Sequence, residues 1–160
     1  MKTLSREIDN LGGLSRLWCI PPSMIIEILP ERSNGYHFLQ VYSLGSAWAI
    51  HAIPESLEYI ETEKQADAGT IYEASITGRL AKDCPELHQS LKSLRPKPWV
   101  VVYQDQNGSF KLVGSPNEPL WFSTELRTSA SYAGLNHVRF SFSGSLTIPA
   151  RFLRQLPEGM

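Results

Sequence analysis

Residues 136–148 (NHVRFSFSGSLTI) alternate between apolar and polar side chains, and this alternation limits the fold more than any other feature of the chain. The apolar positions are Val138, Phe140, Phe142, Leu146 and Ile148, with Gly144 in register. Successive side chains of a β-strand point to opposite faces. The pattern therefore predicts one long strand with one face in a core and the other against water or a polar partner.

Weaker versions of the same signal recur along the chain. Alternation is clear at 70–80 and 120–126, where Leu126 is expected on the core side, and less regular at 24–29, 36–42, 47–53 and 57–63. Residues 99–103 are continuously apolar, which is typical of a strand covered on both faces. Turn residues separate these stretches at 33–35, 68–69, 107–108 and 133–134. Strands at this spacing predict an antiparallel barrel or sandwich.

One amphipathic α-helix is predicted over about residues 84–94. Leucines at 87, 91 and 94 recur at helical spacing, and prolines at 96 and 98 end the segment. Asp83 suits the N-cap, Pro85 the first turn, and Glu86 the third position of a capping box. We expect this helix to pack on the sheet of a single β-rich domain, residues 1–160, whose first 23 residues form a flexible arm.

Composition excludes several classes of protein. Hydrophobic residues make up 42% of the chain and charged residues 19%, with a net charge of -1, which argues against disorder and against a broad field attracting nucleic acid or an anionic membrane. Charged residues interrupt the apolar ones near the N-terminus, and no run is long enough to span a membrane. We expect a cytosolic protein whose two cysteines, Cys19 and Cys84, are free thiols.

The segment Asp105-Gln106-Asn107-Gly108 could be read as the start of a calcium loop or as a hairpin turn. A calcium loop needs a glutamate at its twelfth position, and that position is Pro116. Asn-Gly tolerates positive φ at both central positions of a two-residue turn. The sequence therefore favours the hairpin turn.

Motifs that carry catalysis or bind cofactors are missing from the sequence. There is no Walker-type loop, Rossmann fingerprint, GxSxG or HExxH, and the four histidines are scattered. Glu61 and Glu63 are expected on the solvated side of a strand. We predict no enzyme, cofactor, metal site or catalytic residue, with a hydrolase assembled from distant residues as the open alternative.

A partner-facing surface is the functional feature that the pattern does predict. Trp121 lies on the polar side of its strand beside Glu125 and Arg127, and a tryptophan there indicates contact with another protein. His137 and Arg139 lie on the polar side of the strand at 136–148. We expect the other tryptophans, at 18, 48 and 99, to fill cores or interfaces.

The order of the segments resembles structural proteins from tails of prophages. The resemblance spans about residues 11–153 and rests on GGL..LW.IPPS, YEASITGRL, DCPELHQSL, PWVVVYQDQNGSFKLVGS, PL.FS and FSFSGSLTIPARFL. It implies a β-barrel or sandwich subunit with a flanking helix, which joins sheet edges with its neighbours in a ring, commonly hexameric. It also implies arms, such as residues 128–135, that order when subunits stack.

The resemblance leads us to expect a non-enzymatic tail subunit of the tube, terminator or adaptor type. Its partners would be copies of itself and other tail proteins, with no membrane and no sequence-specific nucleic acid, and it would pass from the host cytoplasm into the virion tail. One feature departs from the pattern of tail-tube proteins, whose DNA-conducting lumen is usually acidic. The polar face at 136–148 carries His137 and Arg139 but no carboxylate. The alternative is a β-sandwich module that binds a glycan or a protein, for which two or more tryptophans should line one solvent face.

Overall fold

A computed structural model describes residues 11–32, 34–43, 45–67, 69–81, 83–128 and 136–158 of the chain. Within these ranges the protein is mainly β, with a single α-helix and one short 3-10 turn, Pro22–Met24. The strands are β1 (Leu14–Ile20), β2 (Ile25–Pro30), β3 (Tyr36–Val41), β4 (Trp48–Ile50), β5 (Glu58–Ala66), β6 (Gly69–Ala81), β7 (Pro98–Asp105), β8 (Phe110–Val113), β9 (Leu120–Arg127), β10 (His137–Leu146) and β11 (Arg151–Leu153). The helix α1 (Pro85–Leu94) connects β6 to β7.

The strands form two layers that meet at β7. A seven-stranded sheet has the order β4-β1-β7-β8-β11-β3-β2, and a four-stranded sheet has the order β5-β6-β10-β9. Pro98 and Trp99, at the start of β7, pair with β9 and so join the two sheets. The pairing is antiparallel, as predicted, except between β3 and β11, which are parallel. The path of strands does not close, so the architecture is the sandwich of the two predicted alternatives.

Strand β7 is covered on both faces, which confirms the interpretation of its continuous apolar run. Trp99, Val101 and Tyr103 belong to the core between the two sheets. Val100 and Val102 point the other way, into a second core formed by residues of the seven-stranded sheet with its flanking segments. Because this second core takes residues from β2, at one end of that sheet, and from β1, next to the other end, the sheet must curve around it.

The alternation in β10 is confirmed over most of its length. Val138, Phe140, Phe142 and Leu146 are all buried between the sheets. The prediction was wrong for Ile148, which is 48% exposed because β10 ends at Leu146 and the chain turns away from the core. Leu126, which we also expected in the core, is 50% exposed.

Helix α1 packs as predicted but is capped differently. Leu91 and Leu94 are buried, and Leu87 packs against the core between the sheets. The N-cap residue is Cys84 rather than Asp83, and it makes no side-chain capping bond. Asp83 Oδ1 instead contacts His88 Nε2, so the predicted capping box does not form.

The prediction of a flexible arm over residues 1–23 was wrong for its second half. Residues 14–20 form β1, which lies between β4 and β7 in the seven-stranded sheet. Leu17, Cys19 and Ile20 are almost completely buried there. Burial on both faces holds this segment in place, because Leu17 and Cys19 face one core while Ile20 faces the other. Residues 1–10, the rest of the predicted arm, lie outside the described residues.

The expected arm at 128–135 also lies outside the described residues, apart from the exposed Thr128. Both cysteines are free, as predicted. Burial raises the pKa of the Cys19 thiol to about 12, whereas Cys84 is partly accessible. In the described part of the chain, no helix has the length and apolar character needed to cross a membrane.

Candidate interaction face

All five residues that the sequence predicts to face a partner lie on one surface, the outer face of the four-stranded sheet. This is the face of β9, β10, β6 and β5 that points away from the core. The predicted residues are Trp121, Glu125, Arg127, His137 and Arg139. Strand pairing sets Arg127 opposite His137, and Glu125 opposite Arg139. The polar faces of two separate strands are thus brought together in one surface.

Side chains on the outer face form rows that cross the strands, and four of these rows contain the predicted residues or lie between them. In order they are Trp121–Ser143–Ser75–Ile60, Ser123–Ser141–Thr77–Glu58, Glu125–Arg139–Arg79 and Arg127–His137–Ala81. Neighbouring rows are two residues apart, or about 6.6 Å along the strands. We call the first row the tryptophan end of the face and the last two rows the arginine end.

At the arginine end, Arg79 of β6 lies directly opposite Arg139 of β10. Like charges in this position repel, since directly opposed Cβ atoms in antiparallel strands are only about 5 Å apart. Glu125, the other neighbour of Arg139, forms its ion pair with Arg127 at 3.0 Å. Neither Arg79 nor Arg139 has an ion pair with any residue in the described ranges. This end of the face therefore carries two guanidinium groups that can donate hydrogen bonds to a bound carboxylate or phosphate.

An open cavity of about 580 Å³ lies over the arginine end. Its basic lining residues are Arg79, Arg127, His137 and Arg139, and its acidic ones are Glu55 and Glu58. The loop before β5 completes the lining of this cavity. It is tied to β6 by the Arg79 backbone N–H, which donates to Ser56 Oγ at 3.1 Å. The acidic groups beside the arginines would repel an extended polyanion more strongly than a single small anion.

The tryptophan end has a different character. Trp121 is 55% exposed and Ile60 is 50% exposed, and the two stand at opposite sides of a groove floored by Ser75 and Ser143. Beside it, the Ser123 and Ser141 hydroxyls bond to each other at 2.7 Å. The groove can take a flat or extended group between two apolar walls.

The other three tryptophans do not extend this surface. Trp99 is buried and its Nε1 donates to the Leu94 carbonyl at 2.9 Å, while Trp18 is buried in the second core. Trp48 is half-buried and packs against the first core. Our prediction that these residues fill cores is confirmed. The second tryptophan that we expected on the solvent face of a glycan-binding module does not lie there, since Trp121 is the one tryptophan on the outer face.

Asp105 and Asn107 form a hairpin turn, as predicted. Asp105 Oδ1 accepts hydrogen bonds from the Asn107 and Ser109 backbone N–H groups, both at 2.9 Å. Of the two central residues only Gly108 has positive φ, so the turn is wider than the two-residue type that we expected. The Asp105 carboxylate therefore holds the turn closed through its Oδ1 atom.

Glu61 was wrongly predicted to lie on the solvated side of β5. Its Oε2 accepts a hydrogen bond from the Tyr59 hydroxyl and another from the Ala150 N–H at 2.8 Å. Burial, with Glu61 as a second cause, raises the pKa of both Tyr59 and Tyr103 above the usual value of 10. This cluster ties the segment after β10 to β5 and is structural in character.

No group of three or more His, Cys, Asp or Glu side chains is arranged to hold a metal ion within the described ranges. No protein-family model, curated protein or solved structure matches the chain.

The sequence did not point to Arg79 as part of the site. Its place on the polar side of β6 follows from alternation, but its position opposite Arg139 depends on the register between β6 and β10. Nothing local encodes that register, because the two strands are far apart in the chain. A row of glutamate, arginine and arginine is visible only once the strands are paired.

Proposed function

We propose that this protein is a non-enzymatic structural subunit that assembles with copies of itself through its free sheet edges. The observation that carries the proposal is that β5 and β2, the strands at the two ends of the longest path through the sheets, each pair with one neighbour among the described strands. The edge strand β4, which pairs with β1, is only three residues long. A free edge presents unpaired N–H and C=O groups that can be satisfied by another chain.

The edge at β5 is long and carries an apolar side chain. It extends over nine residues, well above the length of the short edge strands that monomeric proteins use. Ile60 is exposed in its middle. Charged residues on β5 discourage random aggregation, while Ile60 favours one specific partner.

The edge at β2 is also free and also carries an exposed apolar side chain. Ile26 is exposed, and an apolar groove of about 510 Å³ lies beside it. The groove is lined mainly by β2, β3 and the C-terminal segment; its lining includes Ile26, Leu29, Phe38, Val41, Leu156 and Pro157. Two different edges on one subunit permit a heterologous interface, which yields a ring or an open filament.

The assembly that we propose is a phage or prophage tail, with the subunit in the tube, terminator or adaptor position. Support comes from the resemblance in segment order and from a β-sandwich with one flanking helix, the architecture that the resemblance implies. The subunit would be synthesised in the bacterial cytoplasm and incorporated into the virion tail.

Molar mass by light scattering over a concentration series, with negative-stain images of the most concentrated fraction, tests the proposal. We expect the mass to rise towards a closed multiple and rings or tubes to be visible. Hydrogen exchange should slow at amides of β2 and β5 in the assembled fraction. A constant monomer mass throughout the series would refute the proposal.

A ligand-binding module is the second candidate, and the groove between Trp121 and Ile60 is the observation that favours it. Its test is tryptophan fluorescence across a panel of glycans, with Trp121→Ala as the control. A shift that the control abolishes would support this function, and an unchanged spectrum would reject it.

A further inference from the structure

The tip of the β5–β6 hairpin projects beyond the rest of its sheet. The last pair that β6 forms with β10 is Tyr72 with Leu146. Beyond it the hairpin continues through three more pairs, from Lys64–Ile71 to Ala66–Gly69, and no third strand among the described residues lies beside them. Two strands alone are only marginally stable in water. A projecting hairpin of this kind gains stability when it lies against another molecule.

The projecting tip is acidic. Asp67 lies at its turn, and Glu63 lies just before the projecting part, at the pair with Tyr72. Both are exposed and have no ion pair with any residue that the structure describes, although the Gln65 side-chain amide donates to Glu63 Oε1 at 3.2 Å. The one lysine at the tip, Lys64, is neutralised by Glu73 at 2.7 Å. Two carboxylates therefore remain for an external partner.

The arginine end of the outer face is the complement within the same subunit. Arg79 and Arg139 repel one another and have no ion pair with a described residue. A carboxylate placed between two guanidinium groups removes that repulsion and forms charge-assisted hydrogen bonds with both. The cavity above them leaves space for an incoming segment.

These two regions cannot meet within one molecule. Gly69, at the tip, and Arg79 belong to the same continuous strand β6, so they are about 33 Å apart. Opposite charges at opposite ends of a rigid sheet pair only between copies. The resulting contact is head to tail, which is the heterologous arrangement that generates rings and filaments.

We propose that Glu63 and Asp67 of one copy bind Arg79 and Arg139 of a second copy. The inference rests on the proposed self-assembly and names the contact that orders it. A second copy fits better than nucleic acid, because Glu55, Glu58 and Glu125 surround the arginine pair and would repel a continuous phosphate backbone. Two carboxylates bring fewer negative charges close to those glutamates than a continuous phosphate backbone does.

The test uses two charge-reversed full-length variants. The tip variant carries Glu63→Arg and Asp67→Arg, and the cluster variant carries Arg79→Glu and Arg139→Glu. Each should raise the concentration at which light scattering detects assembly by at least about ten-fold, since like charges then meet at the contact. Arg139→Glu also places a carboxylate opposite Glu125, so circular dichroism must show that the cluster variant is folded before its assembly is compared with that of the wild type.

Mixing the two variants is the decisive experiment. When the two variants alternate along a chain of copies, the arginine tip of each tip variant meets the glutamate cluster of a cluster variant. The native acidic tip of each cluster variant meets the native arginine cluster of a tip variant. The mixture should therefore assemble at the wild-type concentration, although neither variant does so alone. Lys92→Glu with Lys97→Glu, on and after α1, is the control for net charge and should assemble as the wild type does.

The outcomes separate the inference from the proposed function. If the wild type assembles and either variant assembles at the same concentration, the contact is wrong while self-assembly stands. A mixture that stays monomeric also overturns the contact. A wild type that remains monomeric overturns both proposals, and circular dichroism of each variant identifies any loss of fold.

Discussion

Gly78 of β6 lies directly opposite Phe140 of β10, and a Cβ atom on Gly78 would be 2.6 Å from the Phe140 ring. It would also be 2.8 Å from a methyl group of Leu57. Glycine normally weakens the interior of a strand. Here its missing side chain provides the space that the outer edge of the Phe140 ring occupies.

We predict that Gly78→Ala lowers the free energy of unfolding by about 1–3 kcal/mol, because overpacking a dense core forces the ring or the backbone to shift. Gly12→Ala is the matched control, since no heavy atom lies within 4 Å of its added Cβ. Urea denaturation of both variants measures the difference. Equal stability of the two would show that the core yields without cost.

Stability should fall as the pH rises above 10. Tyr59 and Tyr103 have folded-state pKa values above their ordinary value of 10, mainly because both are buried and secondly because Glu61 is near. Above pH 10 the unfolded chain loses these protons and the folded chain keeps them, so the unfolded state is favoured. Tyr59 is partly accessible, which reduces its share of the effect, whereas Tyr103 is buried. Urea denaturation on either side of pH 10 measures the slope.

Tyr59→Phe should make this alkaline slope shallower, because one of the two shifted groups is removed. Tyr42→Phe serves as the control, since Tyr42 is exposed and outside the cluster. Indistinguishable slopes for the wild type and Tyr59→Phe would show that Tyr59 ionises as freely in the folded protein as in the unfolded chain.

Alternation and helical spacing were sufficient to locate most strands and the helix, because burial of one face imposes a periodic apolar pattern on neighbouring residues. They failed where contacts between segments distant in the chain determine which residues are buried. β1 was assigned to an arm, although Leu17 and Cys19 are buried, because its partners β4 and β7 are distant in the chain. Leu126 was assigned to the core because alternation does not show where the core ends.

The candidate site was partly predictable for the same reason. Trp121 was identified because its own strand places it among polar residues. Arg79 was not, because its importance comes from Arg139 on another strand. The projecting hairpin tip could not be predicted either, since it depends on where β10 stops pairing with β6.

The two thiols should differ sharply in reactivity. Cys19 is fully buried and its pKa is raised to about 12 by that burial, which disfavours the reactive thiolate. Cys84 precedes α1 and is partly accessible. Ellman's reagent should therefore modify one thiol in the native protein and two in denaturant. Cys84→Ser should abolish the native reaction, and rapid modification of both native thiols would contradict the burial of Cys19.

The Asp105 carboxylate should contribute to stability without binding calcium. Asp105→Ala removes two hydrogen bonds to backbone N–H groups and should lower the free energy of unfolding by about 1–3 kcal/mol. Asp105→Asn keeps an acceptor oxygen and should cost less. Thermal denaturation with and without calcium checks both statements. A calcium-dependent rise in Tm that Asp105→Ala removes would favour a metal loop instead.

Asn107 should hold the segment before β1 against the hairpin. Its Oδ1 accepts from the Leu11 N–H at 3.0 Å, and its Nδ2 donates to the Leu11 carbonyl at 3.1 Å. Asn107→Ala removes both bonds, so the Leu11 amide should exchange with solvent faster, while the Ile20 amide inside the sheet serves as an internal reference. Asn107→Asp keeps the acceptor and loses the donor, so its exchange rate should be intermediate. Residue-resolved hydrogen exchange measures all three proteins, and an unchanged Leu11 rate in Asn107→Ala would mean that the Gln106–Gly13 backbone bond alone retains the segment.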